Sequence, residues 1–311
     1  MTNTHHVNKT VTYLNGQPID TVSVQDRALH YGDGFFTTLL VADECLLNWS
    51  AHWRRLRRSA ERLQFSALDE SQLLQQITQA VVQFDASFGT TKVVKLFVSR
   101  GESGRGYAIP RQALPLVFVQ VSVAPIQIEC TQQTVTKTQQ LNFPPPMALK
   151  LAFCQTQVSI QMQLAGIKHL NRLDSVLAQT EVRQKQHQEG IMLNALGHVI
   201  CGTQSNLFMI KAQTIITPKL HLSGVEGTTR YQLKQLVAGL GLRWQETDIC
   251  LEQLQQADEL FLSNAIRGIM PIQQLEESTF AMEQVHNLHH AWNQWQAENI
   301  VCLKNLLKDI K

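Results

Sequence analysis

One stretch constrains this chain more than any other: Leu164-Ala165-Gly166-Ile167-Lys168-His169-Leu170-Asn171-Arg172-Leu173. An apolar run closed by a glycine leads to a single lysine, and a long helical pattern opens at Asn171. Leu173, Val176, Leu177, Thr180 and Val182 recur at helical spacing, with Asp174 in the first turn, so the spacing predicts a helix with one apolar face. The lysine then stands between a strand end and a helix start. There it is partly desolvated and close to the positive end of the helix dipole. Both effects disfavour the ammonium form and make the amine a nucleophile and base. The commoner arrangement for such a lysine lays its stem on apolar residues and leaves its head in water.

A chain of 311 residues buries substantial cores and is expected to form two domains. The division is expected near Ala124-Pro125, giving an N-terminal α/β domain over 1–124, a linker over 125–134 and a larger domain over 135–311. Charged residues make up only 17% and the net charge is +2, so no electrostatic footprint for nucleic acid or a membrane surface is present. Six scattered cysteines without a CxxC pair read as reduced, buried thiols. The opening Met1-Thr2-Asn3-Thr4-His5-His6 lacks a signal-peptide core, and no apolar run reaches membrane-spanning length. The expectation is a soluble cytoplasmic protein.

Asn15-Gly16 is a favoured hairpin turn between Val11–Leu14 and Thr21–Val24. A glycine-punctuated loop over 26–34 precedes the strand 35–41, and Asp43-Glu44 turns a second hairpin. Ser50 is the expected cap of a helix with Trp53, Leu56, Ala60 and Leu63 on its apolar face. Its other face carries Arg54, Arg55, Arg57, Arg58, Glu61 and Arg62, a solvated basic surface or a receptor for acid groups. A second helix follows over about 70–84. Apolar strands at 93–98 and 116–121 flank the loop Ser99-Arg100-Gly101-Glu102-Ser103-Gly104-Arg105-Gly106-Tyr107. Pro144-Pro145-Pro146 is a rigid interruption. In the second half, hairpins are expected at 190–200 and 206–217, a helix at 233–240 after Gly227-Thr228-Thr229, and a buried strand at 259–264. His286, His289 and His290 on the last helix lack thiol or carboxylate partners at ligand spacing, so they read as surface histidines and no metal is expected.

The segment Gly166-Ile167-Lys168-His169-Leu170-Asn171-Arg172-Leu173 resembles the Schiff-base lysine segment of 4-amino-4-deoxychorismate lyases. Those enzymes share a pyridoxal 5'-phosphate superfamily with branched-chain and D-amino-acid aminotransferases. The likeness runs in matching order from about Tyr13 to Ile272. It implies a two-domain α/β chain of the fold type IV, D-amino-acid aminotransferase-like class. It also implies a homodimer and a small-molecule substrate.

Residue by residue, the resemblance makes Lys168 the cofactor lysine and general base. Thr228 and Thr229 before a helix, Asn264 and Ala265 after a strand, and Arg55 match the family's phosphate-holding positions. Arg105 and Tyr107 fall where a substrate carboxylate is held. Phe36 and Thr38 share a strand face that the resemblance assigns to the pocket, with Thr38 a hydroxyl beside the reacting carbon. One position departs. The family normally shows Glu before Gly202-Thr203-Gln204-Ser205-Asn206, pairing with the pyridine nitrogen, and this chain has Cys201. A neutral thiol offers only a weak hydrogen bond there, which weakens the electron sink and handicaps transamination most. An elimination that yields an aromatic product has its own driving force. The implied activity is release of 4-aminobenzoate and pyruvate from 4-amino-4-deoxychorismate. The alternatives are a D-amino-acid or branched-chain transaminase, or a homologue whose catalysis is impaired by Cys201.

Overall fold

The protein was analysed as a computed structural model that describes residues 10–85, 90–111, 113–132, 139–303 and 306. The opening residues read above for a leader, residues 133–138 around the expected linker, and the side chain of Cys130 lie outside that set. The chain forms two compact units, one of Met1–Pro144 with Asn299–Lys311, the other of Pro145–Glu298. The units part within the triple proline, later than the 124/125 division read from the sequence. The chain's end also returns to the first unit, because its strand 300–302 completes a sheet there.

In the first unit the elements are β1 (Thr10–Leu14), β2 (Gln17–Ile19), α1 (Arg27–Tyr31), β3 (Gly34–Ala42), β4 (Cys45–Leu47), α2 (Trp49–Arg62) and α3 (Glu70–Gln83). They continue with β5 (Thr91–Ser99), β6 (Leu116–Val123), β7 (Glu129–Gln132) and β8 (Gln139–Asn142). Both hairpins turn on two residues at positive φ, Asn15-Gly16 and Asp43-Glu44, the twist that matches paired strands. The strand after the first turn is β2, not Thr21–Val24. It is short and sits at the sheet edge, where Pro18 leaves no ladder bond unmade. The loop 26–34 contains the short helix α1, capped by Asp26 and closed by Gly32 at φ 63°. Ser50 lies inside α2, and the cap position belongs to Asn48 in the left-handed conformation.

Residues alternate along the strands. Phe35, Leu39, Val94, Leu96, Val98, Val119 and Val121 face α2 and α3 and build the first core, while Phe36, Thr38, Lys95 and Phe97 occupy the opposite face. Arg55 is buried with Leu56 and Ala60 rather than lying on the solvated side of α2.

The second unit begins with β9 (Leu149–Phe153), α4 (Leu173–Gln184), β10 (Glu189–Leu193), β11 (Val199–Gly202), β12 (Asn206–Lys211), β13 (Thr214–Pro218) and α5 (Thr228–Gly239). It continues with β14 (Arg243–Thr247), α6 (Leu251–Gln255), β15 (Glu259–Asn264), β16 (Gly268–Leu275), β17 (Ser278–Thr279) and α7 (Glu283–Glu298). The remaining strand, β18 (Ile300–Cys302), pairs with β4 in the first unit. The strand order β11-β10-β9-β16-β15-β12 closes on itself because Cys201 of β11 pairs with Asn206 of β12. Side chains inside this ring, such as Leu207, Leu260 and Leu262, form one core. Their alternates Phe208 and Phe261 form another with Leu233 of α5 and Trp292 of α7. Burial on both faces accounts for the unbroken apolar run of β15.

Helix α4 reverses the expectation for its apolar stripe. Leu173, Val176 and Leu177 are 77%, 57% and 58% exposed, whereas Ala178 and Val182 are buried. On this smaller side Ala178 packs on Met192 and Ile200, and Val182 lies against Gly190. The helix also starts at Leu173 rather than Asn171. His289 is buried, with Asn293 beside its ring, so it is not a surface histidine. Of the described cysteines only Cys45 is fully buried, and all five are free thiols.

Phe208 and Phe261 stack at 4.5 Å and 6°, and Phe261 is fully buried. Phe261→Ala is expected to lower stability by about 3–5 kcal/mol, read as a shift of the urea unfolding midpoint at constant slope.

Candidate active site

In the second unit the backbone itself assembles the site. Gln161 accepts the N–H groups of Leu164 at 3.0 Å and Ala165 at 2.8 Å, closing a tight turn in place of the strand end read from the sequence. Gly166 follows at φ 82°, a conformation that costs other residues a Cβ clash. Its N–H donates to Gly224 at 2.9 Å, and its carbonyl accepts from Glu226 at 3.1 Å, a parallel bridge centred on Val225. Ile167 is buried behind it, and Lys168 is half-buried. The bridge holds Lys168 beside the segment that runs into α5.

That segment is gripped by Asn206, whose Nδ2 donates to Val225 at 2.8 Å while its Oδ1 accepts from Gly227 N at 3.0 Å. A Cβ on Gly227 would collide with the same oxygen. Helix α5 starts at Thr228, earlier than predicted. Thr228 and Thr229, both buried, therefore present first-turn N–H groups of the kind that cradle a phosphate. Asn264 ends β15, one residue past Ser263, the partner of Asn206. Its side-chain oxygen accepts from Ile266 at 3.0 Å and Arg267 at 2.8 Å. That oxygen shapes the loop, with Ala265 between, and is not offered outward.

Cys201 is the Cα partner of Asn206 and so sits at the same level. Burial, then the carboxylates of Glu189 and Asp174, push its thiol up to about 12, against the pull of Arg172. It is a neutral thiol at physiological pH. Glu189 was not anticipated from the sequence, although a carboxylate opening an apolar buried strand is itself a signal. It accepts from Gly190 N at 3.2 Å, Thr203 N at 2.8 Å, Gln204 N at 3.3 Å, Ser205 Oγ at 3.0 Å and Thr203 Oγ1. With five donors on it, this carboxylate is committed to the loop that follows Cys201. Arg172 Nη2 donates to His169 Nε2 at 2.6 Å. Burial, and then Arg172, hold the His169 imidazole down to about 4, with Lys168 adding to the effect.

In the first unit Arg55 is 8% exposed. Its Nη2 donates to Thr37 Oγ1, and His52 Nδ1 lies 2.7 Å from that hydroxyl. Burial lowers the guanidinium to about 9. Burial and Arg55 hold His52 well below the ordinary imidazole value, leaving it neutral. Arg55 Nε is buried without a partner, and no carboxylate among the described residues pairs with this cation. A buried guanidinium in that state fits an anion such as a phosphate. Phe36 and Thr38 share the sheet face away from α2.

Arg105 and Tyr107 are exposed on the loop after β5, Tyr107 to 84%. What sequence reading missed is the frame of that loop. Asp33 Oδ2 accepts from Arg27 Nε and Arg100 Nε, both at 2.8 Å. The Arg27 guanidinium goes on to Gly106 O and Tyr107 O, each at 3.1 Å, and to Ser103 Oγ at 2.9 Å. The Tyr107 ring meets Tyr31 edge-on at 5.2 Å.

Residues 34–275 match the model of the family described as Amino-transferase class IV. The chain is 32% identical to an aminodeoxychorismate lyase of Vibrio harveyi over 84% of this chain and 89% of that protein. The crystal structure of a 4-amino-4-deoxychorismate lyase from Pseudomonas aeruginosa superposes with a TM-score of 0.76 at 33% identity, covering 90% of this chain and 97% of that one. An Escherichia coli branched-chain amino acid aminotransferase shares the fold, with a TM-score of 0.77 at 20% identity over 93% and 95% of the two chains.

The depressed His169 value yields a stability prediction. Its folded-state value lies below the ordinary 6.5, so the neutral ring's contribution is complete above that pH and is lost as pH falls toward about 4. The difference in urea midpoint between the protein and His169→Gln should therefore shrink between pH 7 and pH 4.

Proposed function

Because this chain belongs to the class IV aminotransferase family, we propose that it is a pyridoxal 5'-phosphate-dependent aminodeoxychorismate lyase. The reaction converts 4-amino-4-deoxychorismate to 4-aminobenzoate and pyruvate. The observation that carries this reading is the backbone bridge that sets Lys168 beside the Gly227–Thr229 helix start, in a chain similar to a named lyase across most of its length.

The residues present fit the cofactor. Gly227 is clamped by Asn206, which fixes the first turn of α5, and Arg55 is a buried cation short of an anion. Thr228, Thr229, Asn264, Ala265 and Arg55 are the proposed phosphate holders. When bound, the cofactor supplies an electron sink for the carbon that carries the substrate nitrogen. Lys168 Nζ is the proposed base that takes the proton from that carbon. Lys168 or the Thr38 hydroxyl returns a proton to the departing enolpyruvyl carbon as the ring becomes aromatic. Arg105 and Tyr107 are proposed to hold a substrate carboxylate and Phe36 to line the pocket.

Cys201 bears on the choice between lyase and transaminase. A thiol whose value stands at about 12 brings no negative charge to a pyridine nitrogen, which favours an elimination driven by aromatisation over reversible proton transfers at two carbons. A homodimer, a cytoplasmic setting and a place in folate synthesis belong to the same proposal. The exposed Leu173, Val176 and Leu177 of α4 support a second copy of the chain, and the free thiols support a reducing compartment. No helix among the described residues is long and apolar enough to cross a membrane.

Purified protein supplied with the cofactor should release pyruvate from aminodeoxychorismate with no keto acid added. Lys168→Ala should cut that release by about 10²–10⁴-fold and abolish the visible absorbance band. Borohydride reduction followed by mass spectrometry should find the adduct on residue 168. An adduct elsewhere defeats the assignment, and dependence on a keto acid would favour the transaminase.

Cys201→Glu sets a carboxylate within the influence of Arg172 and is expected to tighten cofactor retention and raise transaminase side activity. A variant that loses cofactor on dialysis faster than the parent would remove Cys201 from the ring nitrogen.

A further inference from the structure

At the edge of the first sheet two cysteines far apart in sequence stand opposite each other. β18 is the edge strand and runs antiparallel to β4, with Cys302 the register partner of Cys45. Asn48 N donates to Asn299 O at 3.2 Å, and Leu303 N donates to Glu44 O at 3.0 Å. Both bonds mark positions where an antiparallel pair exchanges hydrogen bonds, and such positions alternate along the ladder. Leu46 and Val301 are therefore the bonded pair between them, and Cys45 and Cys302 face each other at a non-bonded position. Partners at such a position have Cα atoms about 4.5 Å apart and side chains on one face, the closest approach a sheet offers. A disulfide spans Cα separations of about 4.4–6.8 Å. Among the described cysteines this is the one pair that meets across a ladder, since Cys201 faces Met192 and Asn206. Cys45 is fully buried, whereas Cys302 is half-buried on the edge strand, where a small reagent reaches it first.

We propose that Cys45 and Cys302 are a redox-responsive pair, thiols at rest, that closes to a disulfide by exchange with a small-molecule disulfide. The Cys302 thiolate attacks one sulfur of the reagent and expels the other as a thiolate, leaving a mixed disulfide. The Cys45 thiolate then attacks the Cys302 sulfur and expels the second thiolate. Two electrons pass from the cysteines to the reagent, and the two expelled thiolates take up the two thiol protons. The new bond ties β18 to β4 and closes a covalent loop that contains the whole second unit, which restricts the unfolded chain. The pairing follows from the ladder and does not depend on the lyase reading.

The test is to incubate the reduced full-length protein in buffers of graded reduced and oxidised glutathione, quench it with acid, alkylate it and digest it without reductant. Mass spectrometry should find one cross-linked peptide joining Cys45 to Cys302, with two of the six thiols lost. The urea midpoint should rise on oxidation and return to its starting value with dithiothreitol. Cys45→Ser should stop at a glutathione adduct on Cys302, and Cys302→Ala should keep the Cys45 thiol. Three results overturn the proposal: a glutathione adduct that persists on Cys302 of the parent, a bridge that uses another cysteine, or no loss of thiols in the most oxidising buffer. The peptide map of the parent decides the matter even where a variant folds poorly.

Discussion

The second unit depends on a short parallel bridge between two segments that belong to no regular strand. Gly166 takes a hydrogen bond from one side and gives one to the other, and Asn206 fastens the same partner segment from below with both ends of its amide. Three chain segments far apart in sequence are thereby set in register with no side-chain packing required. An amide that both donates and accepts in a buried place is costly to leave half-paired, so this junction forms completely or not at all. Lys168 and the start of α5 inherit their positions from it. The proposed base and the proposed helix-start phosphate holders are thus set by one junction.

Charge is distributed differently in the two units. In the first, cations exceed the carboxylates available to them. Asp33 serves two arginines at once, Arg55 has a hydroxyl and an imidazole but no acid, and Lys95 has only rings. In the second, the carboxylates near Cys201 are already committed or partly offset, Glu189 by five donors and Asp174 by Arg172. Arg55 is thereby left as a buried cation with no acid partner among the described residues. Net charge alone, at +2, conceals this.

Much of this was legible in the sequence because local rules decide it. The hairpins at Asn15-Gly16 and Asp43-Glu44, the apolar strands, and the helix after Gly227 each rest on turn chemistry or a short-range period. The errors have physical causes. Leu173, Val176 and Leu177 follow helical spacing, yet periodicity reports that a stripe exists and not whether it faces inward. Ala178 and Val182 take the inner side, where Ala178 packs on Met192 and Val182 lies against Gly190. By periodicity Arg55 was one of several arginines on a basic face, and the resemblance alone singled it out; in the fold its burial separates it from the exposed Arg57. Arg27 and Asp33 act through partners about seventy residues away or through a neighbouring loop, and no pattern along the chain marks such a partnership. The return of the last strand to β4 is likewise a long-range pairing with no local signature.

The strand ring of the second unit is fastened at Cys201 and Asn206. An ionised side chain at that seam would have to leave water on folding and sit near Glu189 and Asp174. A protonated thiol imposes no such penalty. The ring can therefore close at Cys201 without setting a third carboxylate beside those of Glu189 and Asp174.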